Sequence, residues 1–403
     1  MKRILPLGIL GLLAAGPASA QSLYYLGTEA QESLPLKWVV GTNVIYVDNV
    51  SPGFGPQQSS VGINPNVALS FVTITPQTTW DVYVRLGLIY YMDAPDNVDS
   101  ISPQTRAGVN LIHRFSERLR FSSRNFIAYE LEPDYSSGYA SQRQNGAYFL
   151  WQTDNSVGFR WTERFATYTG LRVTDTSYAD IPDNDRFTWE AYNQLRYQLS
   201  PQTVLTAEYR FSQTTGNGAF SDTTDHFILV GMEHRFSPNT IGVVRAGAQF
   251  HDVDNGDNST SPYVEFALNS QINQQFSVRS YARYGIETYN NIQSMPPFGA
   301  VEFGDLQVLR IGFSAEYAIS PMFSVFGGVD YLPTSYAGGH WVSNGLPVGD
   351  QNSDIINAYI GLSMKFNDYL TGTVSYNYTN SSSDFFGSEY TRNRISVGLS
   401  AEF

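Results

Sequence analysis

The chain has 403 residues, 15% charged and 14% aromatic, with a formal net charge of −13 and no cysteine. These values exclude a disulfide framework and a thiolate metal site, and an acidic surface argues against nucleic acid as a partner. A soluble domain usually carries about a quarter charged residues, and helical membrane spans need runs of about 18 apolar residues, which this chain lacks. Low charge with many aromatic residues instead favours a transmembrane β-barrel, whose apolar residues are spread over short alternating strands.

Residues 1–20 have the composition and order of a secretory signal peptide. Lys2 and Arg3 precede an apolar stretch over residues 4–15, and small residues flank a cleavage site predicted after Ala20. The apolar stretch is too short to span a bilayer as a retained helix. We therefore predict that the chain is exported and that the leader is removed.

Short turn-like pieces alternate with longer polar stretches along the rest of the chain. Pieces such as 75–78 and 236–240 separate runs of alternating hydropathy, whereas stretches such as 92–103 contain mainly Asp, Asn, Gly and Ser. An alternation of period two gives each run one apolar and one polar face, as expected for a β-strand. The spacing predicts about eighteen strands, with sixteen as the alternative.

We therefore predict an all-β fold, a closed antiparallel up-and-down transmembrane β-barrel with short periplasmic turns and long outer loops. The barrel occupies residues 35–403, and residues 21–34 form a short periplasmic N-terminal segment before it. An even strand number with both ends in the periplasm lets the last strand pair with the first. Closure then satisfies the backbone groups that hydrocarbon would leave without partners.

The chain stops on NRISVGLSAEF, in which Ile395, Val397 and Leu399 share a parity with the final Phe403. This parity faces lipid in the predicted barrel, and Phe403 belongs to the aromatic girdle at the periplasmic interface. An alternating last strand that ends in Phe resembles the insertion signal of Gram-negative outer-membrane proteins, and the mature chain resembles the β-barrel porin family. The resemblance implies location in the outer membrane, contact with its lipid, and recognition by the barrel-assembly machinery during insertion.

The polar parity of the strands carries most of the arginines. An arginine on the lipid face near the membrane midplane costs about 2–4 kcal/mol, so this bias is required in any barrel. Glycine recurs two residues from arginine on the same face, as at Arg85 and Gly87, which predicts room for the guanidinium beside it. The predicted pore-lining residues are Arg85, Arg106, Arg124, Arg160, Arg172, Arg196, Arg210, Arg245, Arg279, Arg283, Arg310, Arg394, Glu208, Glu265, Glu287 and Glu316.

Acidic residues concentrate in the outer loops, so we expect a negative outer rim and a cationic wall. Three interpretations of such a wall stay open. In the first, arginine and glutamate pair across neighbouring strands and stiffen the lumen. In the second, which is compatible with the first, the basic wall filters solutes by charge. In the third, the arginines bind an anionic ligand through paired hydrogen bonds.

Two long polar stretches are candidates for a loop that folds into the barrel and narrows it. The first candidate covers residues 332–353, and the second covers residues 131–146. Aromatic side chains in such loops either stack on sugars or pack the loop against the inner wall. The constriction-loop candidates are Tyr135, Tyr139, Tyr336 and Trp341.

The five histidines lack the spacing of a zinc site, and no serine has a recognisable nucleophile setting. We therefore predict no enzyme activity, no metal and no cofactor, although sequence alone leaves open a catalytic triad assembled in space. The predicted function is a porin-like channel for passive or weakly selective diffusion of small hydrophilic solutes through an arginine-lined lumen, with a homotrimer as a compatible assembly. The alternatives are a barrel component of polysaccharide export and a surface adhesin or structural barrel without an open pore.

Overall fold

The computed structural model describes residues 34–52, 57–95, 98–132, 135, 147–179, 185–217, 221–254, 258–288, 292–295, 299–385 and 389–403. Three predictions fall outside these residues: the signal peptide at 1–20, the N-terminal segment at 21–34 except for its last residue, and the constriction-loop candidate Tyr139. All regular secondary structure in the described ranges is β-strand. The same ranges contain no helix of the length and apolar character needed to cross a membrane.

Most strands exceed the 9–11 residues that a tilted strand needs to cross a membrane. The first ten strands are β1 (Leu34–Val47), β2 (Ser60–Ile74), β3 (Thr78–Tyr91), β4 (Ile101–Arg114), β5 (Leu119–Glu130), β6 (Tyr148–Arg160), β7 (Phe165–Tyr178), β8 (Arg186–Ser200), β9 (Thr203–Gly216) and β10 (Thr223–Ser237). The other ten are β11 (Thr240–Val253), β12 (Ser259–Gln271), β13 (Phe276–Ile286), β14 (Ile292–Met295), β15 (Gly299–Ala318), β16 (Phe323–Trp341), β17 (Pro347–Val348), β18 (Gln351–Lys365), β19 (Leu370–Ser383) and β20 (Tyr390–Glu402).

Strands that follow one another in sequence are antiparallel neighbours in the sheet, and the first and last strands close it. The described strands form a closed 18-strand up-and-down barrel with two extra short strands, which confirms the predicted fold class. β1 pairs with β20 in an unbroken register that includes Val44 opposite Val397. At the periplasmic end of this seam, the backbones of Trp38 and Phe403 exchange two hydrogen bonds with N···O distances of 2.9 and 2.8 Å.

The two extra strands lengthen hairpins at the outer end of the barrel. β14 pairs with β15, and β17 pairs with β16, beyond the pairing of the long strands. β16 itself continues to Trp341, so the prediction of a loop over 332–353 is wrong for its first ten residues, and also for residues 347–348 of β17 and 351–353 of β18. Residues 332–341 lack alternating hydropathy because strands above the membrane need no apolar face, although their backbones still pair with β15.

The outward face of the wall is apolar over most of its area. Ile228, Val230 and Val397 are 58%, 65% and 51% exposed, and the terminal Phe403 is 69% exposed at the periplasmic end. A continuous exposed band of this kind is stable in lipid and not in water. The chain therefore forms a membrane-spanning β-barrel, as its sequence predicts.

We expect Val397→Arg to destabilise the barrel by about 2–4 kcal/mol, because it places a charge on the lipid face near the middle of β20. The measurement is a denaturant titration of the barrel refolded into lipid vesicles. Val397→Leu, which keeps the face apolar, is the matched control. Equal midpoints for the two variants would contradict the assignment of this face to lipid.

Candidate functional site: the barrel lumen

The predicted pore-lining residues lie on the inward parity of their strands, opposite the exposed apolar face, except Glu287, which directly follows the last residue of β13. Their environments differ along the barrel. Arg310 is 1% exposed and Arg210 is 7% exposed, whereas Arg160 is exposed at the periplasmic end of β6. Burial of an arginine is stable only with anionic or hydrogen-bonding partners, so the contacts of these side chains decide what the wall presents to a solute.

The largest group of buried charges lies on β9, β11 and β12. Arg210 contacts Glu208 at 2.6 Å and Glu265 at 3.5 Å, measured between nitrogen and oxygen atoms. Arg245 contacts Glu265 at 3.1 Å, and the Tyr263 hydroxyl donates to the same carboxylate. Each charge therefore has at least one opposite partner, and the group as a whole is close to neutral.

This group continues along the wall through β8, β7 and β6. Arg210 Nε lies 3.8 Å from Glu190, and Arg172 lies 2.8 Å from Glu190 and 2.9 Å from Asp154. The Tyr192 hydroxyl donates to the other oxygen of Asp154 at 2.8 Å. Charges of opposite sign thus neighbour one another in a belt of described side chains that extends from β6 to β12, in which β10 contributes no charge.

Smaller charged groups lie on the other half of the wall. Arg310 donates two hydrogen bonds to Glu287 with N···O distances of 2.7 and 2.6 Å, and Arg283 lies 2.5 Å from the same carboxylate. Arg106 makes a similar two-bond contact with Glu130 at 3.0 and 2.6 Å. Two-bond pairs of this kind fix the orientation of both side chains.

These contacts show pairing across strands, the first of the three interpretations that the sequence left open. The expectation of a cationic wall is wrong for the described belt, because inward acids balance the arginines. Asp154 was not among the residues predicted from the sequence. It shares the inward parity of β6 with Gly158, and this parity was the signal that could have identified it. Whether the predicted residues line an open pore stays a prediction.

A segment after β5 crosses the lumen. Glu132 accepts hydrogen bonds from both terminal nitrogens of Arg392 on β20, at 2.6 and 2.8 Å. The Tyr135 carbonyl accepts a hydrogen bond from Arg310 at 2.7 Å, and Arg310 lies on β15, opposite β5 in the barrel.

Apolar packing adds to this attachment. The Tyr135 side chain is buried with Leu332 of β16 and Ile355 of β18. The described part of the second candidate stretch, 131–146, therefore does fold into the barrel. Of the residues that fix it, Tyr135 was predicted and Glu132 was missed, since a charged residue in a loop has no strand parity to mark it.

Tyr336 and Trp341, the candidates from the other stretch, lie elsewhere. Tyr336 is 1% exposed on β16 and packs edge-on against Phe303 and Phe385, with ring centroids 5.3 and 4.9 Å away. Trp341 packs against the same cluster. These aromatic side chains join the outer ends of β15 and β16 to the segment after β19, which is the packing role considered from sequence.

Most glycines beside the arginines accommodate tyrosine rings and not guanidinium groups, whereas Gly87 faces Asn66 and Pro65 of β2. A Cβ atom on Gly170 would lie 2.3 Å from the ring of Tyr192, and one on Gly312 would lie 2.0 Å from the ring of Tyr281. In both cases the tyrosine is directly opposite the glycine on the neighbouring strand. The sequence-based explanation of these glycines is therefore wrong, because the cross-strand neighbour and not the residue two places along the strand fills the space.

No protein-family model and no curated protein sequence matches the chain. Among solved structures, OccAB4 of Acinetobacter baumannii is 12% identical, with a TM-score of 0.43 over 93% of this chain and 100% of that one. OpdK of Pseudomonas aeruginosa, solved with vanillate, is 12% identical, with a TM-score of 0.44 over 91% and 99%. A BenF-like porin of Pseudomonas fluorescens Pf-5 is 9% identical, with a TM-score of 0.45 over 93% and 99%. Similarity at this level identifies neither a solute nor a site.

We expect Gly170→Ala to destabilise the barrel by about 1–3 kcal/mol, because the new methyl group would overlap the Tyr192 ring, whose hydroxyl is held by Asp154. The measurement is the denaturant midpoint in lipid vesicles. Gly349→Ala is the control, since a Cβ at Gly349 meets no atom within 4 Å. If the two variants lost the same stability, overlap with the Tyr192 ring would not be the reason for a glycine at position 170.

Proposed function

We propose that the protein is a porin-like channel for passive or weakly selective diffusion of small hydrophilic solutes across the outer membrane. The observation that carries the proposal is the position of Glu132 and Tyr135, which lie inside the barrel and contact Arg392 on β20 and Arg310 on β15. Side chains of the wall alone do not fill a barrel of eighteen strands. A segment held across such a barrel narrows the passage without adding a separate plug domain.

The charge arrangement supports weak selectivity more than tight binding of an anion. Most inward arginines have acidic partners, so a solute meets both signs of charge along the belt. Some arginines nevertheless keep contact with water: the side chains of Arg85, Arg283 and Arg394 are 23%, 24% and 25% exposed. These partly exposed guanidinium groups are the ones that a passing anion would meet, and they give the channel its modest preference.

We expect stepwise single-channel currents from the refolded barrel in planar bilayers, and a larger conductance for Glu132→Ala. Loss of the Glu132 carboxylate breaks the two-bond contact with Arg392 and frees the segment from β20. Glu117→Ala is the control, because Glu117 lies exposed in the turn between β4 and β5.

A membrane that stays silent with the folded barrel would contradict the channel and favour a structural barrel, an adhesin or an export component. A conductance of Glu132→Ala equal to that of Glu117→Ala would instead show that the segment does not set the width of the passage. The two results are separable, because the first concerns the wild-type current and the second only its change.

We expect replacement of Arg279 and Arg283 by serine to shift the reversal potential toward cation preference in a salt gradient. Both side chains lie on the inward parity of β13, and Arg310 still neutralises Glu287 after Arg283 is removed. The shift should shrink at high salt, where charges are screened over about 3 Å at 1 M. Arg160→Ser at the wide periplasmic end is the control, and an equal shift in that variant would place the selectivity at the mouth.

A further inference from the structure

A patch of polar side chains lies on the outward, lipid-facing parity of β5, β6, β7 and β8. Asn125 shares its parity with the exposed Ile127, Asn155 with Val157, and Asn193 with Leu195. The register joins these residues laterally, since Asn125 lies opposite Thr153, Ser123 opposite Asn155, and Asn193 opposite Thr169. We call the set of Ser123, Asn125, Thr153, Asn155, Thr169 and Asn193 the amide patch.

The amide patch lies at the middle of the membrane. Each asparagine is flanked at four residues on either side by outward aromatic residues of its own strand, which mark the two interfaces. Four residues of a strand span about 13 Å before tilt, so the amides are near the centre of an apolar band about 25 Å tall. The flanking aromatic residues are Phe121 and Tyr129 for Asn125, Trp151 and Phe159 for Asn155, and Trp189 and Tyr197 for Asn193.

The patch satisfies part of its own hydrogen-bonding capacity. Thr153 donates to the Asn125 carbonyl oxygen at 2.8 Å, Asn155 donates to Thr153 at 2.8 Å, and Asn193 donates to Thr169 at 2.6 Å. A carboxamide has two N–H donors and an oxygen that accepts twice. Among the described contacts, each of Asn155 and Asn193 uses one side-chain donor and no carbonyl acceptor, so capacity remains that acyl chains cannot meet.

The wall just beyond β9 differs at the same depth. β10 and β11 present Ile228, Val230 and Val244 to lipid. Thr42 on β1 lies four residues from both Trp38 and Tyr46, which places it at the depth of the asparagines. Its outward neighbours on the same strand, Val40 and Val44, are apolar. A single hydroxyl can bond to a nearby backbone carbonyl, whereas several adjacent amides point to a partner surface.

We propose that the amide patch is the contact surface for a second copy of this chain. Copies inserted in the same direction carry their amides at the same depth, so donors and acceptors meet at matching heights without any adjustment. The patch contains no charged residue, and each amide is both donor and acceptor, which makes the surface complementary to itself. Polar side chains of this kind hydrogen-bond between membrane segments, where lipid offers no competing partner.

The experiment uses the purified full-length mature barrel, folded in a mild detergent and checked by its heat-dependent mobility on gels. Light scattering corrected for detergent gives the number of copies per particle. We expect two or more copies for the wild-type chain and for Thr42→Leu, and one copy for the variant Asn125→Leu, Asn155→Leu and Asn193→Leu. A monomeric wild-type barrel, or a leucine variant that remains an oligomer, would overturn the proposal.

A second measurement covers the case in which the leucine variant does not fold. The chain contains no cysteine, so Thr153→Cys and Val230→Cys can each carry one spin label in vesicles that contain only this protein. We expect molecular oxygen, which is soluble in lipid, to reach the label at position 153 at least several-fold less than the label at 230. Equal access at the two positions would mean that lipid, including bound lipid of any head group, covers the patch.

Discussion

The structure depends on the pairing of β1 with β20. Every backbone N–H and C=O group inside a bilayer needs a protein partner, and a sheet meets this requirement only when it has no edge. The seam provides that last row of bonds, from the Trp38–Phe403 exchange at the periplasmic end upward through Val44 and Val397. With the seam closed, the alternation of side chains separates an apolar exterior from a charged interior. The charged side chains then face the lumen, where solutes can contact them.

Inside the closed wall, the arginines are held by acids on neighbouring strands. Removing one partner of such a buried pair typically costs about 3–5 kcal/mol, because the remaining charge is left uncompensated. The ion pairs of Arg172 and Arg310 therefore stabilise the barrel wall in addition to facing its interior. Glu132 and Tyr135 use the same chemistry inside the barrel, so the residues that we propose to narrow the passage are held by Arg392 and Arg310 of the wall.

The sequence predicts the strands, their parity and the closure well, because lipid imposes a strict period of two on side chains. It fails where that constraint ends. Residues 332–341 are strand above the membrane, where no apolar face is required, and Glu132 acts from a loop without periodicity. The partners of Gly170 and Gly312 depend on the register between strands, which a single strand's pattern does not contain.

Closure itself can be measured most directly across the seam, in a chain that contains no native cysteine. Val44→Cys with Val397→Cys joins residues that lie opposite each other on β1 and β20, at a separation suited to a disulfide. Mild oxidation in native outer membranes should form an intramolecular bond as efficiently as in Val374→Cys with Val397→Cys, which joins β19 to β20. A bond in the second pair without one in the first would show an open sheet and contradict the account.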